Sequence, residues 1–553
     1  MDSNEWWIAT FAFSSRAFVL VLQCLANAFI PDHDAGVFYP PRDKSNFCWL
    51  DKIVDFLLGG LRRWDAVYFT HIMQFGYTYE NCVAFFPFYP LVAYCLSSCL
   101  QIFGILSPSS WILLTSVLLN IILFVATAIL LYRLGKHVVK KDVAFYGALM
   151  FCMNPASIFM TAPYSEILYM FLLILALLKL QEGAVFTASI FVAFSVFTRS
   201  NGIVGVGFLL HYIAKSLILN LKVSVFTRNL NLLTSIQHCL YQLLQAVATT
   251  VICFVVSLAP FFMYQFYIYQ KFCLPSGTGD SMPDNLVRYG RSQGYHLLGD
   301  APSPWCSGHL PLSYSYIQKQ HWDVGFLRYY QIKQLPNFLL AAPIIILSFE
   351  TCRYFVKINP HSYYTLGLYP AQGQVHSPQT RSTEQKYGIG NIGRKLSATS
   401  ADNSFTQDNF ISEDRNTLAT EDIVVYVFHL ISLTLFGCCF MHIQVLTRLL
   451  CSSSPLLYWY VGVLYVQDSH KLRTKLRQSL SERRDTDFTS DISSNTGVPD
   501  LLLRTLAQLN CDFIVDVALR WPELSFRFRA VFIYCVLYSI VGTFMFCNFL
   551  PWT

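Results

Sequence analysis

Apolar stretches about as long as a bilayer is thick recur along the whole chain. A helix rises about 1.5 Å per residue, so roughly 20 apolar residues cross the ~30 Å hydrocarbon layer. Such stretches run approximately over residues 6–30, 87–106, 111–132, 143–161, 165–181, 185–213, 243–268, 336–356, 424–446, 450–466 and 530–549. Inside hydrocarbon, backbone polar groups must be satisfied within the structure, which leaves helices or closed barrels. Runs this long and this continuously apolar are helical, so the expectation is an all-α polytopic membrane protein with about eleven transmembrane helices. The 185–213 stretch is long enough to be one tilted helix or a broken one.

Composition agrees. Of 553 residues 54% are hydrophobic and only 13% charged, about half the charged share of a soluble domain, and mean hydropathy is +0.43. A net charge of +6 is small for this length and argues against a nucleic-acid role. The acidic start Met1-Asp2-Ser3-Asn4-Glu5 is unlike the basic start of a cleaved signal peptide. The seventeen cysteines lie mostly in apolar runs and form no pair or Cys/His group with zinc spacing. Cys48, Cys82, Cys273 and Cys306 fall in polar loops and could pair if that side is oxidising.

Residues 1–356 read as the main membrane module, with two large loops at 31–85 and 269–334. Residues 357–421 are rich in Ser, Thr, Asn, Gln and Asp and read as a disordered insert. A transmembrane hairpin (422–466), a polar and amphipathic segment (467–528, flexible over 467–500) and a C-terminal helix (529–553) follow. With a cytosolic N-terminus, alternation puts both large loops in the lumen, and the 215–240 loop, the insert and 467–528 in the cytosol. The positive-inside tendency fits this except at Arg133, Lys136, Lys140 and Lys141, which alternation puts in the lumen. Either one stretch within 87–132 does not cross, or the rule yields there.

The chemistry-bearing stretch is Arg62–Pro90, RRWDAVYFTHIMQFGYTYENCVAFFPFYP. Trp64 and Tyr68 are four apart and Asp65 and Tyr68 three apart, neighbours on a helix face. A short helix at the membrane surface would hold the rings at headgroup level and turn Asp65 to water. The plain alternative is an interfacial loop with an aromatic belt. Arg16, inside the first span, must face protein, water or an anion.

The stretch Arg63-Trp64-Asp65-Ala66, Gly76-Tyr77, Tyr79-Glu80, Ala84-Phe85-Phe86-Pro87 and Tyr89-Pro90 resembles the first loop of the GPI mannosyltransferase 2 (PIG-V) family. Further resemblances follow in order: Asn154-Pro155-Ala156, Ala162-Pro163-Tyr164-Ser165-Glu166, Arg199-Ser200-Asn201-Gly202, Trp322–Tyr330, Gln334–Ala341, His442–Arg448 with Ser452–Pro455, and the terminal Asn548–Thr553. The resemblance runs end to end, outside 357–421 and 467–500. It implies a GT-C type glycosyltransferase fold in the endoplasmic reticulum membrane, with a lumenal active site. It also implies transfer of the second mannose, in α-1,6 linkage and with inversion, from dolichol-phosphate mannose to mannosyl-glucosaminyl-phosphatidylinositol. No cofactor is expected, and an accessory membrane subunit leaves no identifiable mark.

Inversion in one displacement needs a base for the attacking hydroxyl and cations for the departing phosphate. Asp65 is the expected base, with Trp64 and Tyr68 beside the substrate. Glu80 is a structural group or a sugar contact. Glu166 caps a helix or serves the site, although alternation puts its turn in the cytosol. Arg199, beside Asn201, is the expected phosphate ligand. His321 and Arg328 are secondary candidates, and His442 and Arg448 flank a span end, where an interfacial role fits as well. No metal site is expected. A different dolichol-phosphate-mannose transferase, a lipid or solute transporter and a non-catalytic scaffold are the alternatives.

Overall fold

The computed structural model describes residues 2–42, 47–227, 232–274, 282–369, 422–486 and 513–550. Most of the 357–421 insert and of the expected amphipathic segment 501–514 lies outside them. The regular elements described are helices, with one isolated bridge between Tyr79 and Leu297.

In chain order these are α1 (Ser3–Phe29), α2 (Trp49–Leu58), α3 (Asp65–Phe75), α4 (Phe88–Gln101), α5 (Pro108–Val138), α6 (Lys141–Cys152) and α7 (Glu166–Gln181). Next come α8 (Val185–Thr198), α9 (Val206–Thr227), α10 (Leu232–Cys273), α11 (Asp284–Ser292), α12 (Ser313–Trp322), α13 (Leu335–Ile358) and α14 (Pro360–Tyr364). The last are α15 (Ile423–Phe440), α16 (Leu446–Cys451), α17 (Pro455–Thr486), α18 (Phe513–Leu519) and α19 (Phe526–Cys547).

Among the described residues seven helices are long and apolar enough to cross a membrane: α1, α5, Ser200–Lys222, α10, α13, α15 and α19. The segments Ile443–Cys451 and Pro455–Leu476, bent by 74°, make an eighth if taken as one span. The chain is a multi-pass membrane protein, with fewer long spans than the eleven expected. The difference has a physical cause. Helices α4, α6, α7 and α8 have 14, 12, 16 and 14 residues, and apolar helices of that length are commonly core rather than spanning. Helix α7 buries Ile167, Leu168, Tyr169, Met170, Leu172 and Leu173, among others, so its hydrophobicity serves helix packing.

Helix α4 is where alternation fails. Helix α5 starts beside the first loop: Asp51 accepts from the Ser107 backbone N–H at 2.9 Å, and Arg62 donates to the Ser109 carbonyl at 2.9 Å. Ser107 caps the helix and Pro108 opens it. At the other end Arg133 pairs with Glu5 at 2.8 Å and Lys136 with Asp2 at 3.7 Å. The segment between the first loop and α5 therefore begins and ends on one side. The basic residues after α5 lie beside the N-terminus, in agreement with the positive-inside tendency.

Helix α6 then turns inward, and residues 153–165 end deep in the protein. The fully buried Arg16, midway along α1, holds this turn. It donates to the Ser157 carbonyl at 2.8 Å, Thr161 Oγ1 at 3.0 Å, Ser157 Oγ at 2.5 Å and the Cys152 carbonyl at 3.3 Å, and stacks 3.8 Å over Phe124. Protein acceptors thus occupy Arg16, which is structural rather than a lipid-phosphate ligand. Asn120 of α5 donates to the Ala162 and Tyr164 carbonyls of the same turn.

The 185–213 stretch is broken. Arg199 is extended (φ −155°, ψ 144°) between α8 and a 3-10 turn, Ser200–Gly205, that leads into α9. A Cβ on Gly202 would stand 2.5 Å from the Ser195 carbonyl carbon, so only glycine lets the chain fold back this closely on α8.

The two large loops pack together as an aromatic cap. Phe38, Tyr77, Tyr79 and Phe86 of the first bury against Leu286, Leu297, Trp305 and Ile317 of the second. Glu80 N–H donates to the His296 carbonyl and Leu298 N–H to the Thr78 carbonyl. A disulfide joins Cys273, at the end of α10, to Cys306 in the second loop, while Cys48 and Cys82 are free. Residues 467–486, expected to be flexible, continue α17 as helix.

Candidate active site

Helix α3 starts under constraint. Trp64, the residue before it, has φ 55°, a left-handed conformation that costs a non-glycine residue about 1–3 kcal/mol. Arg63 holds the chain there, donating to the Cys547 and Gly59 carbonyls and to both oxygens of Asp32. The Trp64 ring packs toward Phe549, their centroids 6.0 Å apart. Asp65 thereby becomes the first residue of α3, and its N–H donates to the Tyr164 hydroxyl at 3.0 Å.

Four charges meet at this point. Asp65 Oδ2 accepts from Arg448 Nη1 at 2.5 Å. The same Nη1 is 3.9 Å from Glu166 Oε1, which lies 2.5 Å from Arg199 Nη1. Asp65, Arg448, Glu166 and Arg199 thus form a row of alternating sign. They come from the start of α3, α16, the start of α7 and the break after α8. Arg199 also donates to Ser165 Oγ at 3.2 Å and Asn201 Oδ1 at 3.3 Å, and Asn201 donates to Ser453 Oγ at 3.2 Å in the bend between α16 and α17. Phe159 and Tyr164 lie 5.5 and 5.7 Å from the Arg448 guanidinium.

Each buried charge here has an opposite neighbour, the condition for keeping it ionised away from water. Exposure divides the carboxylates: the Asp65 side chain is 26% exposed and Glu166 0%. A substrate hydroxyl can reach Asp65, whereas Glu166 lies behind the two arginines, which are 14% and 19% exposed.

The remaining sequence candidates divide. Tyr68 stacks between Phe38 and Phe85, at 4.1 and 4.5 Å, one turn from Asp65. It does not share a face with Trp64, because α3 begins only at Asp65. Most of α3, from Ala66 to Met73, is buried, so it is not a surface helix. Glu80 is buried and accepts from Trp305 Nε1 at 2.7 Å, which makes it part of the cap. His321, pushed below its usual pKa by burial with Glu80 pulling the other way, belongs to that region too. Arg328 pairs with Asp323 on the exposed surface at 2.6 Å, outside the row of charges. Glu166 stands on the Asp65 side, not the opposite one, because the stretch before α5 does not cross.

Arg448, Tyr164, Ser165 and Ser453 are the members that sequence reasoning passed over or ranked low. A signal for Arg448 existed: a lone cation in an apolar block calls for a buried anion. His442 Nε2 bonds the Trp322 carbonyl at 2.5 Å and its ring stacks on Tyr329 at 4.5 Å, tying the second loop to the end of α15.

A groove of about 530 Å³ opens between α3, α4, α8 and α10, lined by apolar side chains including Met73, Leu91, Phe197 and Met263. Among the described residues no group of three His, Cys, Asp or Glu is placed to hold a metal.

The chain matches the mannosyltransferase (PIG-V) family over residues 5–553. It is 37% identical to the GPI alpha-1,6-mannosyltransferase 2 of Cricetulus griseus, over 100% of this chain and 99% of that one. It is 36% identical to the human protein of the same name, with the same coverage. The apo oligosaccharyltransferase crystal structure of Archaeoglobus fulgidus aligns with 97% of this chain and 56% of its own, at 11% identity and a TM-score of 0.38, too distant to carry an argument.

Proposed function

The chain belongs to the PIG-V family of mannosyltransferases, and from that premise we propose that it adds the second mannose to the GPI-anchor precursor, in α-1,6 linkage, on the lumenal face of the endoplasmic reticulum. The donor is dolichol-phosphate mannose and the acceptor mannosyl-glucosaminyl-phosphatidylinositol. The observation that carries this reading is the row Asp65–Arg448–Glu166–Arg199, a reachable carboxylate beside two arginines.

In the proposed reaction the 6-hydroxyl of the acceptor mannose attacks the anomeric carbon of the donor sugar. The bond from that carbon to the phosphate oxygen breaks, and its electron pair leaves with dolichyl phosphate. The hydroxyl proton passes to Asp65. A single displacement inverts the β-linked donor to an α-linked product.

Arg448 and Arg199 stabilise the charge that develops on the leaving phosphate, a contribution made mainly in the transition state. Arginine suits the task because its planar fork matches two phosphate oxygens. Glu166 keeps both arginines oriented before substrate arrives. The apolar groove between α3, α4, α8 and α10 suits the dolichyl chain. This mechanism uses no cofactor or metal ion.

Lipid analysis of cells lacking the protein tests the reading. A GPI precursor with one mannose should accumulate, and the intact gene should clear it. Accumulation of a different intermediate, or none, overturns the acceptor assignment.

A further inference from the structure

Two consecutive arginines leave the connection before α3 and meet opposite fates. Both are buried, at 5% and 6% exposure. Arg63 is saturated by carbonyls, Asn27 and the Asp32 carboxylate. Arg62 makes one bond, from Nη2 to the Ser109 carbonyl at 2.9 Å, and its buried Nε has no partner. Burial, and then Arg42 nearby, push its guanidinium down to about 9, so it remains cationic at neutral pH without an anion of its own. A buried charge in that state is costly unless a partner arrives.

Arg62 and Arg42 line a cavity of about 270 Å³ with no Asp or Glu among the described residues of its walls. It lies between the first loop, α3, the start of α5 and Pro283 and Asn285 of the second loop. Helix α3 presents Val67, Thr70, His71 and Gln74 to it, one face by spacing, with Gln74 at the border with the apolar groove. His71 offers no charge there, because burial pushes it down to about 3. Arg42 is already paired with Asp55 of α2 at 2.7 Å. Beside that pair, α2 exposes Trp49, Ile53, Phe56 and Leu57, an apolar row at helical spacing that suits a membrane surface. A cationic cavity next to such a row fits a phosphate that carries acyl chains.

We propose that this cavity binds the phosphodiester of the inositol-phospholipid acceptor, with Arg62 supplying the main phosphate contact and Arg42 a second. This rests on the acceptor assigned under the proposed function. Arg62 is three residues from Asp65, at most about 11 Å of chain between their Cα atoms. The acceptor has mannose, glucosamine and inositol rings between its attacking hydroxyl and its phosphate, a reach of the same order. The phosphate of the donor is separate and belongs to Arg448 and Arg199.

The test is steady-state kinetics on the purified full-length enzyme, varying donor and acceptor independently, with Arg62→Gln, Arg62→Lys and Arg42→Gln. For Arg62→Gln the acceptor KM should rise about tenfold or more, the scale of one lost charge-assisted bond. Its donor KM and kcat should stay within about twofold. Arg62→Lys should fall between, and water-soluble glycerophosphoinositol should compete with acceptor in the wild type and far less in Arg62→Gln. If Arg62→Gln does not accumulate, the half-buried Arg42→Gln carries the same test. A rise in donor KM alone, an equal rise in both, or an unchanged acceptor KM overturns the site. Wild-type enzyme that leaves this acceptor unmannosylated overturns the acceptor assignment itself, a result distinct from transfer without the KM split.

Discussion

Arg448 Nη1 lies 2.5 Å from Asp65 Oδ2 across 383 residues of chain. The contact joins the first loop to α16. It gives Asp65 a countercharge and holds Arg448 at the mouth of the site. Almost all else proposed for the reaction follows from these two groups and the Glu166–Arg199 pair behind them.

Asp65→Asn keeps the shape of the side chain but cannot take a proton in the same way. Turnover should fall by roughly 100-fold or more, within the 10²–10⁴ range of general-base catalysis. Asp65→Glu should recover little, since displacing the carboxylate by about 1 Å spoils alignment with the attacking hydroxyl. Glu80→Gln is the control, because Glu80 bonds Trp305 in the cap and should affect stability more than turnover. Transfer assays normalised to protein abundance decide it: near-normal turnover in Asp65→Asn would remove Asp65 as the base.

The side on which Arg133–Lys141 lies has a direct check. The sequence contains no Asn-x-Ser/Thr acceptor with a permitted middle residue, so engineered acceptors report without background. One placed near Gly299, in the second loop, should be glycosylated. One placed at the turn between α5 and α6 should not, because Arg133 and Lys136 stand beside Glu5 and Asp2. Glycan on the second site would restore a crossing within 87–106.

These two cases mark what the sequence reveals. Asp65 stood out through the resemblance of Arg63-Trp64-Asp65-Ala66 to the family's first loop, as one of two carboxylates in Arg62–Pro90; no spacing showed which of the two stands beside Arg448. The break at Arg199 was half legible, since the 29-residue, predominantly apolar stretch from 185 to 213 exceeds one bilayer crossing. The place of Glu166 was not, because α4 packs against α3 and α5 through Tyr89, Ala93 and Ser97 but leaves Leu91, Tyr94 and Leu96 exposed, and so reads like a span. Counting that stretch as a crossing put Glu166 on the side opposite Asp65. Arg448 was underrated because its partner is in the first loop, and no local spacing connects the two.

Arg16 should prove structural. Arg16→Leu removes the donors that hold Ser157, Thr161 and the Cys152 carbonyl inside the bundle. Leaving buried acceptors unsatisfied costs about 1–3 kcal/mol each, so a loss of ~3 kcal/mol or more is expected. Detergent-solubilised protein should melt several degrees lower, and cellular abundance should drop. Arg16→Lys keeps the charge but reaches fewer acceptors and should be intermediate. An unchanged melting temperature in Arg16→Leu would contradict this role.

Arg448 has two anions to choose between, and that choice gives the sharpest test of the mechanism. Without donor it bonds Asp65, which occupies the carboxylate oxygen that the acceptor hydroxyl would meet. When the donor phosphate enters, an arginine that turns to it releases Asp65 for the acceptor hydroxyl. Proton acceptance then becomes available when the donor is in place. Asp65→Asn removes the competing anion, so donor should bind several-fold more tightly even as turnover collapses. Arg448→Lys should weaken donor binding, and Arg199→Lys likewise, since lysine keeps the charge but loses the planar fork. In the double variant Asp65→Asn/Arg448→Lys the two effects should not add, as expected for groups in contact. Direct binding of donor to the full-length protein measures all four. Unchanged or weaker donor binding by correctly folded Asp65→Asn would show that Arg448 stays on Asp65 throughout, and would leave Arg199 as the phosphate ligand.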